Sequence, residues 1–264
     1  MQQQKRMFFF DIDGTLLSSK YKKIFSQTTE AIKKLSQNPN NILGIATGRN
    51  TKRIDVLGEL LPCFKHFILF NGGLTKVNDK IIDDRPFNKE VVKELIQKAH
   101  QAKIHIGLTG MNQEIVPSKQ DLIPASLQEM YCTSKNSLVD PQFHLYNNVY
   151  QIWLFEPNRE KLEAFIKDLK NLQIYYWRSE GGVDLVPEKI NKTCGIELIK
   201  SLYPQHQLIC VGDGYNDVDM LKYADIGIGM DNTNCSEVRD NSTLLAPHID
   251  TNKFYDFLKK QCLV

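Results

Sequence analysis

A recurrence constrains the fold more than any other feature of the chain. Apolar runs at 7–10, 42–46 and 67–70 each stop at a small polar cluster: Asp11-Ile12-Asp13-Gly14-Thr15, Thr47-Gly48-Arg49 and Asn71-Gly72-Gly73. An unbroken apolar run reads as a strand buried on both faces, as in a parallel sheet packed between helices. Helix-like stretches separate the runs. The first spans 28–36, with a stripe of Ala31, Ile32 and Leu35 and with Thr28 or Thr29 as its cap; the second spans 53–61 and stops at Pro62. Strand and helix alternating at this spacing predict parallel βαβ units.

The rhythm returns near the carboxyl end. A helix is expected over 195–202, a strand over 208–211 ending at Gly212-Asp213-Gly214, a short helix over 217–223, a strand over 226–228 and an amphipathic helix over 253–260. The intervening stretch differs. Helices at 91–102 and 158–169 are interspersed with strand-like segments at 104–108, 148–155 and 174–177, and the stretch is richer in aromatic residues and in alternation. That texture suits a smaller α/β unit built on an antiparallel sheet with one exposed face. The expected organisation is a discontinuous core, 1–83 and 187–264, interrupted by an inserted domain over 84–186.

The 264 residues are 42% hydrophobic and 24% charged, enough to build a core without staples. A net charge of +2 argues against an electrostatic nucleic-acid or membrane binder. Of the six cysteines, Cys63, Cys132, Cys194, Cys210, Cys235 and Cys262, none forms a C-x-x-C pair, which disfavours a zinc site. Cys210 sits in an apolar run, so a buried thiol and a reducing, cytoplasmic setting are expected. The run before Asp11, Met7 to Phe10, has only four apolar residues, fewer than the apolar core of a signal peptide needs, and no apolar run approaches a membrane span.

Four polar clusters carry the chemistry. Asp11 and Asp13 follow a predicted strand, where ligands bind in open α/β sheets. Two acids that close repel unless a cation or a shared proton lies between them, although Asp-Gly is also an ordinary turn. Thr47 and the N–H of Gly48 can cap a helix, seat a phosphate, or do both. Lys192, between Asn191 and Thr193, opens a helix, either as a solvated lysine or as a point charge for a phosphate oxygen. Asp213 and Asp217, in Gly212-Asp213-Gly214-Tyr215-Asn216-Asp217, offer oxygen ligands for a hard cation or simply a polar turn. The last cluster is no dinucleotide fingerprint, because Asp217 stands where its third glycine belongs.

Taken together and in this order, the clusters resemble the signature motifs of the haloacid dehalogenase-like hydrolase superfamily. Asp11-Ile12-Asp13-Gly14-Thr15 is similar to its first motif, Ala46-Thr47-Gly48-Arg49 to the second in its Cof-type branch, Lys192 to the third, and Gly212 through Asp217 to the fourth. Asn71-Gly72-Gly73 and Gly227-Ile228-Gly229-Met230 also fall at Cof-type landmarks, so the resemblance covers the whole chain. It implies a Rossmann-like parallel-sheet core with an inserted α/β cap that closes over the site and sets specificity. It further implies an Mg²⁺-dependent phosphatase acting on small phosphorylated metabolites, sugar phosphates or phosphorylated cofactors.

In that scheme Asp11 is the nucleophile that becomes an aspartyl-phosphate, and Asp13 is the acid and base. Mg²⁺ is held by the Asp11 carboxylate, the Asp13 carbonyl and Asp213. Thr47, Gly48, Lys192 and Asn216 contact the phosphoryl group, and Asp217 acts behind them on Lys192 or a metal-bound water. The rings of Tyr150, Trp153, Tyr175, Tyr176 and Trp177, with Arg178, either reach the substrate or form the cap's own core; Asn112, Glu114 and Ser118 are polar candidates beside them. Two alternatives are a phosphosugar mutase of the same superfamily and a regulatory module that binds a phosphometabolite without turnover. The expected partner is a small phosphate ester, with neither nucleic acid nor membrane.

Overall fold

The computed structural model describes residues 4–131, 138–177 and 180–264. From the amino end the chain forms β1 (Arg6–Phe10), α1 (Ser26–Gln37), β2 (Asn41–Ala46), β3 (His66–Leu69), β4 (Leu74–Val77) and β5 (Lys80–Asp84). There follow α2 (Lys89–Ala102), β6 (His105–Thr109), β7 (Glu114–Val116), α3 (Ala125–Met130), β8 (Leu138–Val139), α4 (Phe143–Tyr146), β9 (Gln151–Phe155), α5 (Arg159–Lys167), β10 (Leu172–Tyr176) and β11 (Gly182–Pro187). The last elements are α6 (Lys192–Leu202), β12 (Gln207–Gly212), α7 (Val218–Tyr223), β13 (Ile226–Met230), α8 (Ser236–Asp240), β14 (Leu244–Ala246) and α9 (Phe254–Lys260).

Two units result. One comprises Met1–Arg49, Arg53–Asp84 and Asn191–Val264; the other comprises Asn50–Lys52 and Arg85–Ile190. The first is built on an eight-stranded sheet of order β14-β13-β12-β1-β2-β3-β4-β5, parallel from β14 to β3 and antiparallel through the last two pairings. Strand β1 lies at its centre. The chain winds from it outward through β2 and β3, then returns to build β12 to β14 on its other side. The connection therefore changes direction at β1, and a crevice opens beyond the carboxyl ends of β1 and β12.

Met7, Phe8, Phe9 and Phe10 are wholly buried, which accounts for the unbroken apolar run. Burial of each such side chain contributes about 1.5–3 kcal/mol. Phe9 packs with Ile68, Cys210, Ile196 and Ile199 on one face of the sheet. Phe8 and Phe10 stack on the other, their ring centroids 6.0 Å apart. Helix α6 lies close over β3 and β4 because of Gly195. A Cβ there would stand 2.6 Å from Thr75 Oγ1 and 2.7 Å from Ile68 Cγ1.

Three details depart from the sequence reading. Helix α1 begins at Ser26 with Phe25 at its N-cap and no capping side chain; Thr28 is buried inside the helix instead. The segment Arg53–Cys63 is a chain of 3₁₀ turns rather than an α-helix, broken at Gly58, whose φ is 51°. A glycine in the left-handed region and Pro62 together disfavour a continuous helix there. The antiparallel hairpin β4–β5 at the sheet edge was not foreseen, since β5 is almost wholly exposed and lacks an apolar run.

The second unit has a six-stranded sheet of order β10-β11-β9-β6-β7-β8, antiparallel except where β7 and β8 run parallel. Its central strand β9 is buried throughout. Ile152 and Leu154 pack with Leu95, Ala99, Leu162 and Ile166 of α2 and α5. Trp153 and Phe155 pack on the opposite face with Val116, Ile123 and Leu127. The expected exposed sheet face is therefore covered along β9. Tyr150 and Trp153 are fully buried, Tyr175 nearly so, and Trp177 stacks on Phe155 at 6.2 Å. Among the rings singled out above, Tyr176 is the half-exposed one, and its hydroxyl donates to Glu163 Oε2. Arg178 and Cys132 lie outside the described residues.

Candidate active site

The ends of three parallel strands and the start of one helix supply the site. Asp11 follows β1, Thr47 follows β2, Asp213 follows β12, and Lys192 is the first residue of α6. Parallel register puts these positions at one edge of the sheet, with Phe10 opposite both Val211 and Ile45. The Asp11 N–H donates to Val211 O at 2.9 Å, which extends the β1–β12 ladder one residue past the strand.

Lys192 is the electrostatic hub. Its Nζ donates to Asp11 Oδ1 at 2.7 Å and to Asp217 Oδ1 at 2.6 Å, and all three residues are buried. The helix starts there because Asn191 caps it, accepting from the Cys194 N–H through Oδ1. Burial alone would lower the lysine's pKa, but Asp11 and Asp217 more than offset it and raise it. Asp217 is fully engaged: Oδ2 accepts from the backbone N–H groups of Asp213 at 2.9 Å and Gly214 at 2.8 Å. Asp213 in turn accepts from Thr15 Oγ1 at 3.3 Å and from Asn232 Nδ2 at 2.9 Å.

The first two acids are not equivalent. Burial pushes Asp11 up to about 7, against the attraction of Lys192 and with repulsion from Asp217 and Asp13 added. Asp13 keeps half its side chain in solvent and faces Arg49. Arg49 Nε donates to Asp13 Oδ2 and Nη2 to Oδ1, both at 2.7 Å, a two-pronged clamp. Partial burial on its own would raise Asp13; the Arg49 hydrogen bonds and charge, with Arg53 and Lys192 beyond, hold it below the usual carboxylate range. Arg49 is itself fixed by Nη1 donating to Arg53 O at 2.8 Å.

Carboxylate oxygens of Asp11, Asp213 and Asp217 lie within 4.8 Å of one another, all buried. Three buried acids face one ammonium. An all-oxygen donor set of this kind fits a hard divalent cation. With Asp217 committed to Lys192 and two amides, Asp11 and Asp213 are the side chains suited to hold it.

Thr47 is buried, with Oγ1 accepting from the Arg49 N–H at 3.2 Å. Asn216 is tied by Nδ2 to Asn71 Oδ1 at 2.8 Å. The structure thus gathers Asp11, Asp13, Thr47, Gly48, Lys192, Asp213, Asn216 and Asp217 within the first unit. Asn232 escaped the sequence reading. It lies just beyond Gly227-Ile228-Gly229-Met230, donates to Gly14 O and Asp213 Oδ2, and accepts from the Ile249 N–H. Of the candidates in the second unit, Ser118 caps the turn Lys119–Asp121, Glu114 opens β7, and Asn112 lines a cavity of about 520 Å³ with Gln113, Asn147 and Asn148.

A parallel-rich sheet with buried acids and a lysine gathered where the strand order reverses is a doubly wound α/β architecture with its ligand site at the switch point. The family model for haloacid dehalogenase-like hydrolases matches residues 8–258. A Streptococcus pyogenes serotype M6 protein, whose name joins a phosphatase to a peptidyl-prolyl cis-trans isomerase, is 27% identical over 85% of this chain. The chain spans 47% of that longer protein. The 5-amino-6-(5-phospho-D-ribitylamino)uracil phosphatase YitU of Bacillus subtilis is 23% identical over 88% of each chain. The solved structure of the phosphatase BT1666 from Bacteroides thetaiotaomicron superposes with a TM-score of 0.85 at 21% identity, covering 99% of this chain and 96% of that one. The chain belongs to the haloacid dehalogenase-like hydrolases. It is an enzyme of the phosphatase kind found among these relatives. No helix among the described residues is long and apolar enough to cross a membrane.

Proposed function

We propose that the chain is an Mg²⁺-dependent phosphomonoesterase that hydrolyses small phosphorylated metabolites through an aspartyl-phosphate at Asp11, in the cytoplasm. The observation that carries this reading is the asymmetry of the two acids. Asp11 is buried against Lys192, while Asp13 is half-exposed and clamped by Arg49. A buried carboxylate beside an ammonium suits the role of nucleophile, and a solvent-facing one suits proton exchange.

Asp11 attacks the substrate phosphorus and the ester P–O bond breaks; Asp13, which enters the cycle carrying a solvent proton and released from Arg49, gives that proton to the departing alkoxide. Water then attacks the same phosphorus, Asp13 takes its proton, and the Asp11–phosphorus bond breaks to release inorganic phosphate. Thr47 Oγ1, the Gly48 N–H, Lys192 Nζ and Asn216 bind the phosphoryl oxygens. Asp217 holds Lys192 in place and orients the Asp213–Gly214 backbone. Mg²⁺ would be held by the Asp11 and Asp213 carboxylates and the Asp13 carbonyl, and it supplies charge that offsets carboxylate–phosphate repulsion. The second unit is assigned the choice of leaving group, in keeping with a relative whose named substrate carries a phosphoribityl group.

A phosphate-release screen against sugar phosphates, nucleotides, flavin mononucleotide and pyridoxal phosphate tests the reading. Turnover is expected with magnesium, is lost on chelation and returns when magnesium is restored. Asp11→Asn abolishes turnover in a chain that still folds, as a cooperative urea transition shows. Phosphoryl transfer between sugar positions without phosphate release would instead indicate a mutase, and near-normal turnover by Asp11→Asn would remove Asp11 as nucleophile.

A further inference from the structure

The tight turn after β3 joins three parts of the candidate site that are far apart in sequence. Phe70 and Asn71 both have φ of 53°, and both are buried. A bulky phenylalanine in the left-handed region is a conformational outlier, whereas asparagine tolerates it. The turn is held by its surroundings. The Phe70 N–H donates to Arg49 O at 3.2 Å, and the Asn71 N–H donates to Thr47 O at 3.0 Å.

Asn71 and Gly72 then reach the other segments. The Asn71 carboxamide accepts from Asn216 Nδ2 at 2.8 Å. Its other end lies against Gly48, where a Cβ would stand 3.0 Å from Asn71 Nδ2. Gly72, with φ of 108°, runs so close to the start of α6 that a Cβ there would stand 2.1 Å from Asn191 O. Asn191 is the cap of the helix that carries Lys192.

We propose that Asn71 is a positioning residue. Its left-handed backbone and carboxamide hold Thr47-Gly48 and Asn216 in register with each other, while Gly72 sets the start of the Lys192 helix against them. The role rests on the phosphoryl contacts proposed above. No other side chain meets both demands as simply: an alanine resists the backbone conformation, and a glycine accepts it but has no carboxamide.

Asn71→Gly separates the two contributions, because it keeps the backbone permissible and removes only the side chain. The experiment measures competitive inhibition by inorganic phosphate of p-nitrophenyl phosphate hydrolysis by the full chain, together with kcat, KM and the urea midpoint. The inhibition constant does not depend on the fraction of active enzyme. Asn71→Gly is expected to weaken phosphate inhibition about tenfold, the scale of one well-placed hydrogen bond, with the midpoint near wild type. Asn71→Asp, which puts a negative charge beside Gly48, is expected to weaken it further. The double variant Asn71→Gly/Asn216→Ala is expected to fall short of the product of the two single effects, since the Asn71–Asn216 contact is lost in both singles. Phosphate inhibition unchanged within about twofold in Asn71→Gly, or single effects that multiply in the double variant, would overturn the assignment. If the wild-type chain shows no turnover, it is the function reading that fails. Phosphate-induced stabilisation against urea then tests Asn71 alone: loss in Asn71→Gly supports the role and retention overturns it.

Discussion

At Lys192, one ammonium meets Asp11 and Asp217 in a region that solvent does not reach. Such a cluster is stable only while each charge has its partner. Removing the lysine leaves two buried carboxylates facing each other, the situation in which breaking a buried pair costs about 3–5 kcal/mol. Lys192→Met is therefore expected to lower unfolding free energy in urea by an amount in that range and to abolish turnover. A variant of wild-type stability would show that the contacts of Lys192 with Asp11 and Asp217 do not hold the cluster together. The motif residues Asp11, Thr47, Lys192, Asp213 and Asp217 were legible in the sequence because each stands at a strand end or helix start. Arg49 and Asn71 were visible only as members of a pattern, without a role. Their partners, Asp13 and Asn216, are supplied by folding, and no spacing along the chain encodes a clamp between residues 13 and 49.

Among the elements, the strands of the parallel sheet were the most readable. Burial on both faces removes polar residues from β1, β2 and β12, so each appears as an apolar run. The hairpin β4–β5 was hidden by the opposite circumstance, an exposed edge with Lys80, Asp83 and Asp84. Strand β3 carries a prediction of its own. His66 is buried beside Tyr203, and burial pushes its pKa down from 6.5 to about 4. The unfolded chain then takes up the proton first on acidification. Its stability is fully present above pH 6.5 and falls as the pH drops toward 4. Between about pH 7 and about pH 4.5, wild type is expected to lose about 2–3 kcal/mol more than His66→Phe in urea unfolding. Parallel losses in the two proteins would mean that His66 titrates normally in the fold.

For the molecule as a whole, every residue assigned to the chemistry lies in the unit formed by Met1–Arg49, Arg53–Asp84 and Asn191–Val264. The other unit has its own sheet and its own two-sided packing about β9. Its aromatic residues read ambiguously in the sequence, because a buried ring and a substrate-contacting ring share the same alternating pattern. In the structure most of them serve as core. Magnesium should stabilise the chain as well as activate it, since a ligand that binds only the folded state at a hundred times its Kd adds about 2.7 kcal/mol. A urea midpoint that rises with magnesium in wild type but not in Asp213→Ala is the expected result, and equal rises would place the cation elsewhere.

The central claim is that Asp11 carries the phosphoryl group during turnover. The most direct measurement is to quench the enzyme in acid during steady turnover of a good substrate, digest it and locate the added phosphoryl mass by sequencing mass spectrometry. The account predicts the modification on Asp11 in wild type and its absence in Asp11→Asn. A phosphoryl group on another residue, or none while phosphate is being released, would contradict it.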